Sequence, residues 1–276
     1  MDQAVLLQFA SYMFHDRKLS IPTITTHLAA IADPLKFAFN ISVNSRFLDL
    51  LKSSFFLQRP PAKKSAPSWS LRKVLLLLAS DVYSENASQE QIFRKAVFLV
   101  ALASGFRISE LAALTRSKSL TRFAPDFSFV MLATNPKFLF KNERLQHRMK
   151  PSKVPALRSE EGTHALCPVA ALHSYISAVP AEKSDRLWIW PTSRKSCSST
   201  QIASVICSVI KEADPEAAPT AHDVRGYASS VAFARSLDPF LVQEAGQWAS
   251  CATFINRYLD VQVEEVACVA LGSINI

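Results

Sequence analysis

The stretch Ala101-Leu102-Ala103-Ser104-Gly105-Phe106-Arg107-Ile108-Ser109-Glu110-Leu111-Ala112-Ala113-Leu114 decides how this chain is read. An apolar helix runs into it. Ser88-Gln89-Glu90-Gln91 matches a capping box, and Ile92, Ala96, Leu99 and Val100 follow at helical spacing. Ser104-Gly105 stops that helix, since glycine adopts the left-handed conformation that closes a helix end. A second helix starts at Ile108 and includes Leu111–Leu114. Arg107 and Glu110 are three apart and share a face. An exposed i,i+3 ion pair gives the same spacing. Here, however, Val97–Val100 and Leu111–Leu114 are apolar on both sides, so the charged pair stands at a turn between two buried helices. The backbone N–H groups of a helix start also favour an anion beside Arg107.

Working outward, the chain reads as mainly α with a small β-sheet, an α+β class. Upstream, Val5, Leu6, Phe9, Tyr12 and Met13 recur at helical spacing. Ser20 caps a helix opening near Pro22 with Ile24, Leu28, Ile31 and Leu35, and Asn44 caps a third with Phe47, Leu48, Leu51 and Phe55. Three prolines among residues 59–68, with no apolar residue larger than alanine, mark a linker. This predicts a helical domain over 1–58, possessing an opening helix almost at Met1 and so open to being N-terminally incomplete. A linker over 59–68 and a larger domain over 69–276 follow. The larger domain begins with an apolar helix over Leu71–Ala79. Phe127–Ala133, Phe138–Phe140 and Val154–Leu157 are short β-prone runs expected to form a hairpin-like sheet. Pro168–Ala178 and Ser199–Ala213 read as helices, and Leu187–Trp190 as a short strand or a buried run. Thr220, with Asp223 three residues on, caps a helix to Ser236. Asp238-Pro239 opens a short one that Gly246 can close, and Ser250 caps another with Phe254 and Tyr258.

Composition narrows the function classes. The chain has 276 residues, of which 49% are hydrophobic and 20% charged, which suits a folded protein with ample core. With five glycines there is no GxGxxG and no GxxxxGK[ST], which excludes the usual dinucleotide and P-loop signatures. Five cysteines at irregular spacing, with no CxxC, argue against a disulfide framework or a zinc knuckle and fit a reducing compartment. The longest apolar runs, such as Val74–Ala79, are far too short to span a membrane. Thirty-one Lys and Arg against 23 Asp and Glu give a net charge of +8. Net charge alone fits any solvated basic surface, but the clustering here is specific. Arg59, Lys63, Lys64, Arg72 and Lys73 form one acid-free stretch. Lys137, Lys141, Arg144, Arg148, Lys150, Lys153 and Arg158 form another, with Glu143 the single acid. Such stretches point to a polyanion, and the expected contacts are Arg59, Lys63, Lys64, Arg72, Lys73, Lys137, Arg144, Lys150 and Lys153.

A second pair repeats the first one's logic. In Ala221-His222-Asp223-Val224-Arg225 the imidazole and guanidinium are three apart on a helix's first turn, where they and the helix dipole would meet a phosphate together. A solvated or capping histidine is the alternative for His222. Trp248 and Tyr258 follow, each explicable singly as a core aromatic. The order Arg-x-x-Glu, basic β segment, His-x-x-Arg, Trp, Tyr resembles the tyrosine recombinases, or integrases. Gly105–Leu114 is similar to that family's first arginine box, and His222–Tyr227, Gly246–Ser250 and Arg257–Leu259 are similar to its second. Arg225 lies 118 residues beyond Arg107, and Tyr258 a further 33 on, as suits the family. Cys167–Leu172, Phe138–Glu143 and Trp248 look like the eukaryotic mobile-element branch, the DIRS-like retrotransposons and cryptons. The resemblance covers about 70–276. Over 1–58 it rests on a helical pattern alone.

The resemblance implies a set of roles. Arg107 and Arg225 would clamp the non-bridging oxygens of a scissile phosphate, and Glu110 would orient its basic neighbours. Tyr258 would be the nucleophile, with His222 as base and phosphate ligand. Trp248, where the family more often has histidine, can donate a hydrogen bond but cannot shuttle a proton. A hairpin lysine would be the general acid. Lys137 and Lys141 both qualify, and Lys141 is preferred because Phe138–Phe140 would place it just past a strand. Lys150 and Lys153 become candidates if the hairpin is longer. Trp248 and Tyr258 are one residue further apart than in many bacterial members. One ester replaces another, so no metal, ATP or other cofactor is expected. Expected partners are duplex DNA and further copies of the chain in a tetrameric synapse, with a monomer or dimer off DNA and no membrane. The segment Val261–Leu271 is a candidate for packing on a neighbour. The expected location is the nucleus in a eukaryote and the cytoplasm otherwise. Three rivals stand beside this reading: a non-catalytic DNA-binding derivative, a type IB topoisomerase, and a helical protein–protein module.

Overall fold

The computed structural model describes residues 3–60, 69–84, 86–139, 151–160, 162–180, 184–236 and 238–246. Its architecture is mainly α-helical with a small β-sheet, and the chain divides into two compact units, Met1–Lys64 and Ser65–Ile276.

In the first unit, α1 (Gln3–His15), α2 (Ile21–Phe39) and α3 (Arg46–Gln58) enclose their own core. Ser20 caps α2 as expected, its Oγ accepting the N–H of Thr23. Ser45, not Asn44, caps α3, its Oγ accepting the N–H of Leu48 at 3.3 Å. Asn44 is committed to the preceding turn, where its N–H donates to Ser42 Oγ. The expected apolar face of α1 splits in two. Leu6, Ala10 and Met13 point inward, whereas Val5, Phe9 and Tyr12 are 44%, 38% and 48% exposed. These are adjacent rows about 100° apart, and only one of them can face α2 and α3. Phe14 stacks on Phe55 with ring centroids 4.1 Å apart.

The second unit is organised around α5 (Gln89–Ser104). Its start is the expected capping box of Ser88 and Gln91, and Phe93, Ala96, Val97, Phe98 and Val100 are wholly buried. Packed on α5 are α7 (Pro168–Ala178), α8 (Ser199–Ala213) and α9 (Ala221–Ser236), while α4 (Leu71–Ala79) packs on α8 and α10 (Pro239–Gly246) on α9. The short α6 (Ile108–Ala112) follows α5 directly and packs on α8.

The sheet is three-stranded and antiparallel, in the order β1 (Thr121–Phe123), β2 (Phe129–Leu132), β3 (Ser152–Pro155). Val130, Leu132 and Val154 face the core. A two-stranded ribbon, β4 (Arg158–Ser159) and β5 (Gly162–Thr163), follows. Two of the expected β runs form β2 and β3, Thr121–Phe123 adds a strand the sequence did not signal, and of the expected Phe138–Phe140 run Phe138 and Leu139 lie in no named strand. Phe138 and Leu139 follow a turn in which the Lys137 N–H donates to Asn135 Oδ1 and the Phe138 N–H to the Asn135 carbonyl. β2 itself ends at Leu132, and Pro136 in the turn has no N–H to give a ladder. The β2–β3 connection therefore spans 133–151, and Phe140 lies outside the described residues. Leu187–Ile189 is a buried run with a single bridge, Ile189 to Ser196.

Candidate active site

Gly105 ends α5 with φ of 60°, the left-handed closure expected of it, and the chain turns at once into α6. That turn makes Arg107 the residue immediately preceding α6 and places Glu110 in its first turn. Glu110 reaches back, so that Oε2 accepts the Arg107 backbone N–H at 2.7 Å and Oε1 accepts Arg107 Nη1 at 2.5 Å. One carboxylate thus both caps the helix and holds the side chain of the residue before it.

The same carboxylate meets the second motif. Arg225 Nη1 lies 3.7 Å from Glu110 Oε2 and donates to the Gly105 carbonyl. Arg225 comes from the second turn of α9, which packs on α5. The start of α9 is fixed by Thr220, whose N–H donates to Asp223 Oδ2 at 2.8 Å and whose hydroxyl donates to Oδ1 at 2.7 Å. Packing of α9 on α5 therefore gathers Arg107, Glu110 and Arg225 into one cluster. Glu110 and Arg225 have side chains only 2% exposed, and Arg107 is 20% exposed. Among these three side chains two guanidiniums share one carboxylate, a net positive charge of one. Buried charges persist only when paired and hydrogen-bonded, as these are. A positive cluster with one partly open guanidinium suits a phosphate, whose oxygens match the guanidinium fork.

His222 stands exposed on the first turn of α9, one turn before Arg225. Tyr227, two residues after Arg225, turns elsewhere. Its hydroxyl donates to the Trp69 carbonyl at 2.7 Å, and the two rings lie 4.6 Å apart. Burial, with the Asp223 carboxylate adding to it, raises the Tyr227 phenol above its ordinary value. That environment disfavours a phenolate and suits a structural tie. Sequence reading assigned Glu110 to its basic neighbours in general. It missed the Gly105 carbonyl as a ligand of Arg225, a contact that no side-chain pattern signals.

The other expected residues divide into three groups. Lys63, Lys64, Lys141, Arg144, Lys150, Trp248 and Tyr258 lie outside the described residues, as does Val261–Leu271. Arg72, Lys73, Lys137 and Lys153 are exposed. Lys73 pairs with Asp214 at 2.8 Å, and Lys153 Nζ sits 4.4 Å from the Phe129 ring centre. Arg59 has its guanidinium turned into the first unit, donating to the Phe14 and Leu19 carbonyls and covering the Phe14 ring. The argument that favoured Lys141 over its neighbours rested on a strand over Phe138–Phe140; Phe138 and Leu139 lie in no named strand, and Phe140 and Lys141 lie outside the described residues. Lys137, Lys141 and Lys150 all fall in the 133–151 connection, and Lys153 lies just beyond it on β3, so all four stay in contention. Among the described residues no group of three or more His, Cys, Asp or Glu could hold a metal ion, and no helix is long and apolar enough to cross a membrane.

No curated protein matches the chain. Solved structures do, at identities where the likeness is one of fold. The Tn1549 transposon integrase in complex with circular intermediate DNA is 14% identical with a TM-score of 0.64, covering 98% of this chain and 85% of the other. XerH site-specific recombinase, bound to palindromic difH substrate in a post-cleavage complex, is 14% identical with a TM-score of 0.64, covering 98% and 73%. XerA recombinase is 16% identical with a TM-score of 0.53, covering 100% and 85%. The phage integrase family model matches residues 76–265, a span holding both arginine boxes, and on that match the chain belongs to the phage integrase family of tyrosine recombinases.

Proposed function

We propose that this chain is a site-specific recombinase that cleaves and rejoins duplex DNA through a 3′-phosphotyrosine intermediate. The observation that carries the reading is the buried cluster in which Glu110 holds both Arg107 and Arg225, two arginines 118 residues apart in a chain of this family. In the reaction proposed, the Tyr258 oxygen attacks the scissile phosphorus and the bond to the 5′ oxygen breaks. Arg107 and Arg225 stabilise the charge on the non-bridging oxygens. Free tyrosine is only about a thousandth ionised at neutral pH, so His222 accepts its proton. Trp248 donates a hydrogen bond to the phosphate, and a lysine of the 133–151 connection, Lys141 first among them, protonates the leaving oxygen. Reversal, or attack by another 5′ hydroxyl, restores a DNA phosphodiester. One ester replaces another, so the scheme needs neither metal nor ATP.

The finer reading is integration of a mobile element of the DIRS-like or crypton type, in the nucleus of a eukaryotic host, by a synaptic tetramer. The motifs around Cys167–Leu172, Phe138–Glu143 and Trp248 support it. The first unit and the basic linker, with Lys63 and Lys64, would complete a clamp on DNA. The test is a nicked suicide duplex with an end label, run on a denaturing gel. The chain is expected to form a slow-migrating covalent adduct that survives excess chelator and is abolished in Tyr258→Phe. An adduct that persists in Tyr258→Phe, or that requires magnesium, overturns the assignment. DNA binding with no adduct across cognate substrates favours the non-catalytic derivative.

A further inference from the structure

We infer that the outer face of the β1–β2–β3 sheet is a phosphate-binding surface for duplex DNA, anchored by Arg122 and Lys153. This deepens the recombinase reading and rests on it. The register carries the argument. Arg122 on β1 pairs with Met131 on β2, and Met131 pairs with Lys153 on β3, so the three form one row across the sheet. Alternation then separates the faces. Val130, Leu132 and Val154 are wholly buried on one side. Arg122, Phe129, Met131, Lys153 and Pro155 lie on the other, where Arg122, Lys153 and Pro155 are exposed and Phe129 and Met131 half-buried.

That outer face carries two cations and no acid. Among the described residues neither Arg122 nor Lys153 makes an ion pair, in contrast to three other exposed basic groups of this unit: Lys73 pairs with Asp214, Arg186 donates to the Ala112 carbonyl, and Arg194 donates to Gln89. Lys153 Nζ is held over the Phe129 ring, which keeps the ammonium on this face of the sheet. Neighbouring strands are about 4.8 Å apart, so the two anchors stand roughly 10 Å from each other across β2. Phosphates recur at about 3.4 Å of helix axis per strand, so cations that far apart meet separate phosphates. The half-buried Met131 and Phe129 between them give a low, uncharged floor. Lys137, exposed just beyond β2, extends the positive character towards the β2–β3 connection. Sequence reading included Lys153 for its basic neighbourhood. Arg122 belongs to no motif, and only the register brings it to the same row.

The experiment measures affinity of the full chain for labelled random-sequence duplex DNA over a range of salt concentrations. Arg122→Ala and Lys153→Met should each lower the magnitude of the slope of log K against log salt by about 0.9, and the double variant by about 1.8. Arg122→Lys should keep the slope, and Lys195→Ala, exposed elsewhere in the unit, should leave it unchanged. Circular dichroism melting checks that each variant is folded. A double variant with the unmutated slope overturns the inference while leaving the recombinase reading intact. So does a double variant whose only change is in self-association by sedimentation, which would make this face a contact between copies. Failure of the unmutated chain to bind duplex DNA would instead remove the recombinase reading, and this inference with it.

Discussion

Glu110→Ala tests the cluster at its centre. The carboxylate accepts two hydrogen bonds from Arg107 and faces Arg225 at 3.7 Å. At that separation and an effective dielectric of about 20, the Arg225 attraction alone is about 4 kcal/mol before desolvation is counted. Removing the carboxylate takes the Glu110 counter-charge from Arg225, which is 2% exposed. It also frees an N–H at the start of α6 that Glu110 had capped. Breaking a buried pair in this way costs about 3–5 kcal/mol. Glu110→Gln keeps one acceptor, for the Arg107 N–H, but loses the charge and the second acceptor that took Arg107 Nη1, so a smaller loss of about 1.5–3 kcal/mol is expected. The assay is urea unfolding followed by tryptophan fluorescence. Trp69, Trp188, Trp190 and Trp248 all lie beyond Lys64, so the signal reports the second unit alone. The double variant Glu110→Ala/Arg225→Met should recover roughly 1–3 kcal/mol, because the stranded charge goes with the arginine. A loss under about 1 kcal/mol in Glu110→Ala, the range of an exposed ion pair, together with no recovery in the double variant, would refute the shared-carboxylate arrangement.

Other outcomes follow from single contacts. Tyr227→Phe unpairs the Trp69 carbonyl and should cost about 1 kcal/mol of stability while leaving adduct formation in place, unlike Tyr258→Phe; loss of the adduct in Tyr227→Phe would reopen the nucleophile assignment. Gly105→Ala meets no atom within 4 Å of the new Cβ, so the cost is the left-handed backbone alone, about 1–2 kcal/mol by chemical denaturation. The Asp214 carboxyl is held below its ordinary value, first by the hydrogen bond from Lys73 and then by the Ser70 N–H. A carboxyl depressed by folding stabilises above its unfolded value of about 3.9 and loses that contribution as pH falls through the lower folded value. Asp214→Asn should therefore melt lower than the unmutated chain at neutral pH, with the gap closing in acid; a gap independent of pH would contradict this. A substrate with a 5′-bridging sulfur should rescue cleavage in the variant lacking the general acid, since a thiolate leaves without protonation. Comparing Lys137→Ala, Lys141→Ala, Lys150→Ala and Lys153→Ala on that substrate identifies the lysine.

Local signals were legible in the residues themselves. Ser88 with Gln91, Ser20 before Pro22, Thr220 with Asp223 and the Ser104-Gly105 stop are contacts within four residues, so their chemistry is complete in the sequence. The helices they bound appear where that chemistry places them. The Arg107/Glu110 and His222/Arg225 pairs were legible for the same reason, each spanning about one helical turn. Strand partners were not. Nothing in Thr121-Arg122-Phe123 marks it as a partner for β2, because three residues are too few to show a period and their pairing is fixed by the core that Val130 and Val154 share. The outward row of α1 shows the same limit, since spacing alone does not say which of two adjacent rows its neighbours cover. Only the tertiary structure gathered the site. Glu110 is within reach of Arg225 because α9 packs on α5, and the Gly105 carbonyl receives that arginine because the chain turns there. Distances between side chains 115 residues apart are set by packing, and no local pattern encodes them.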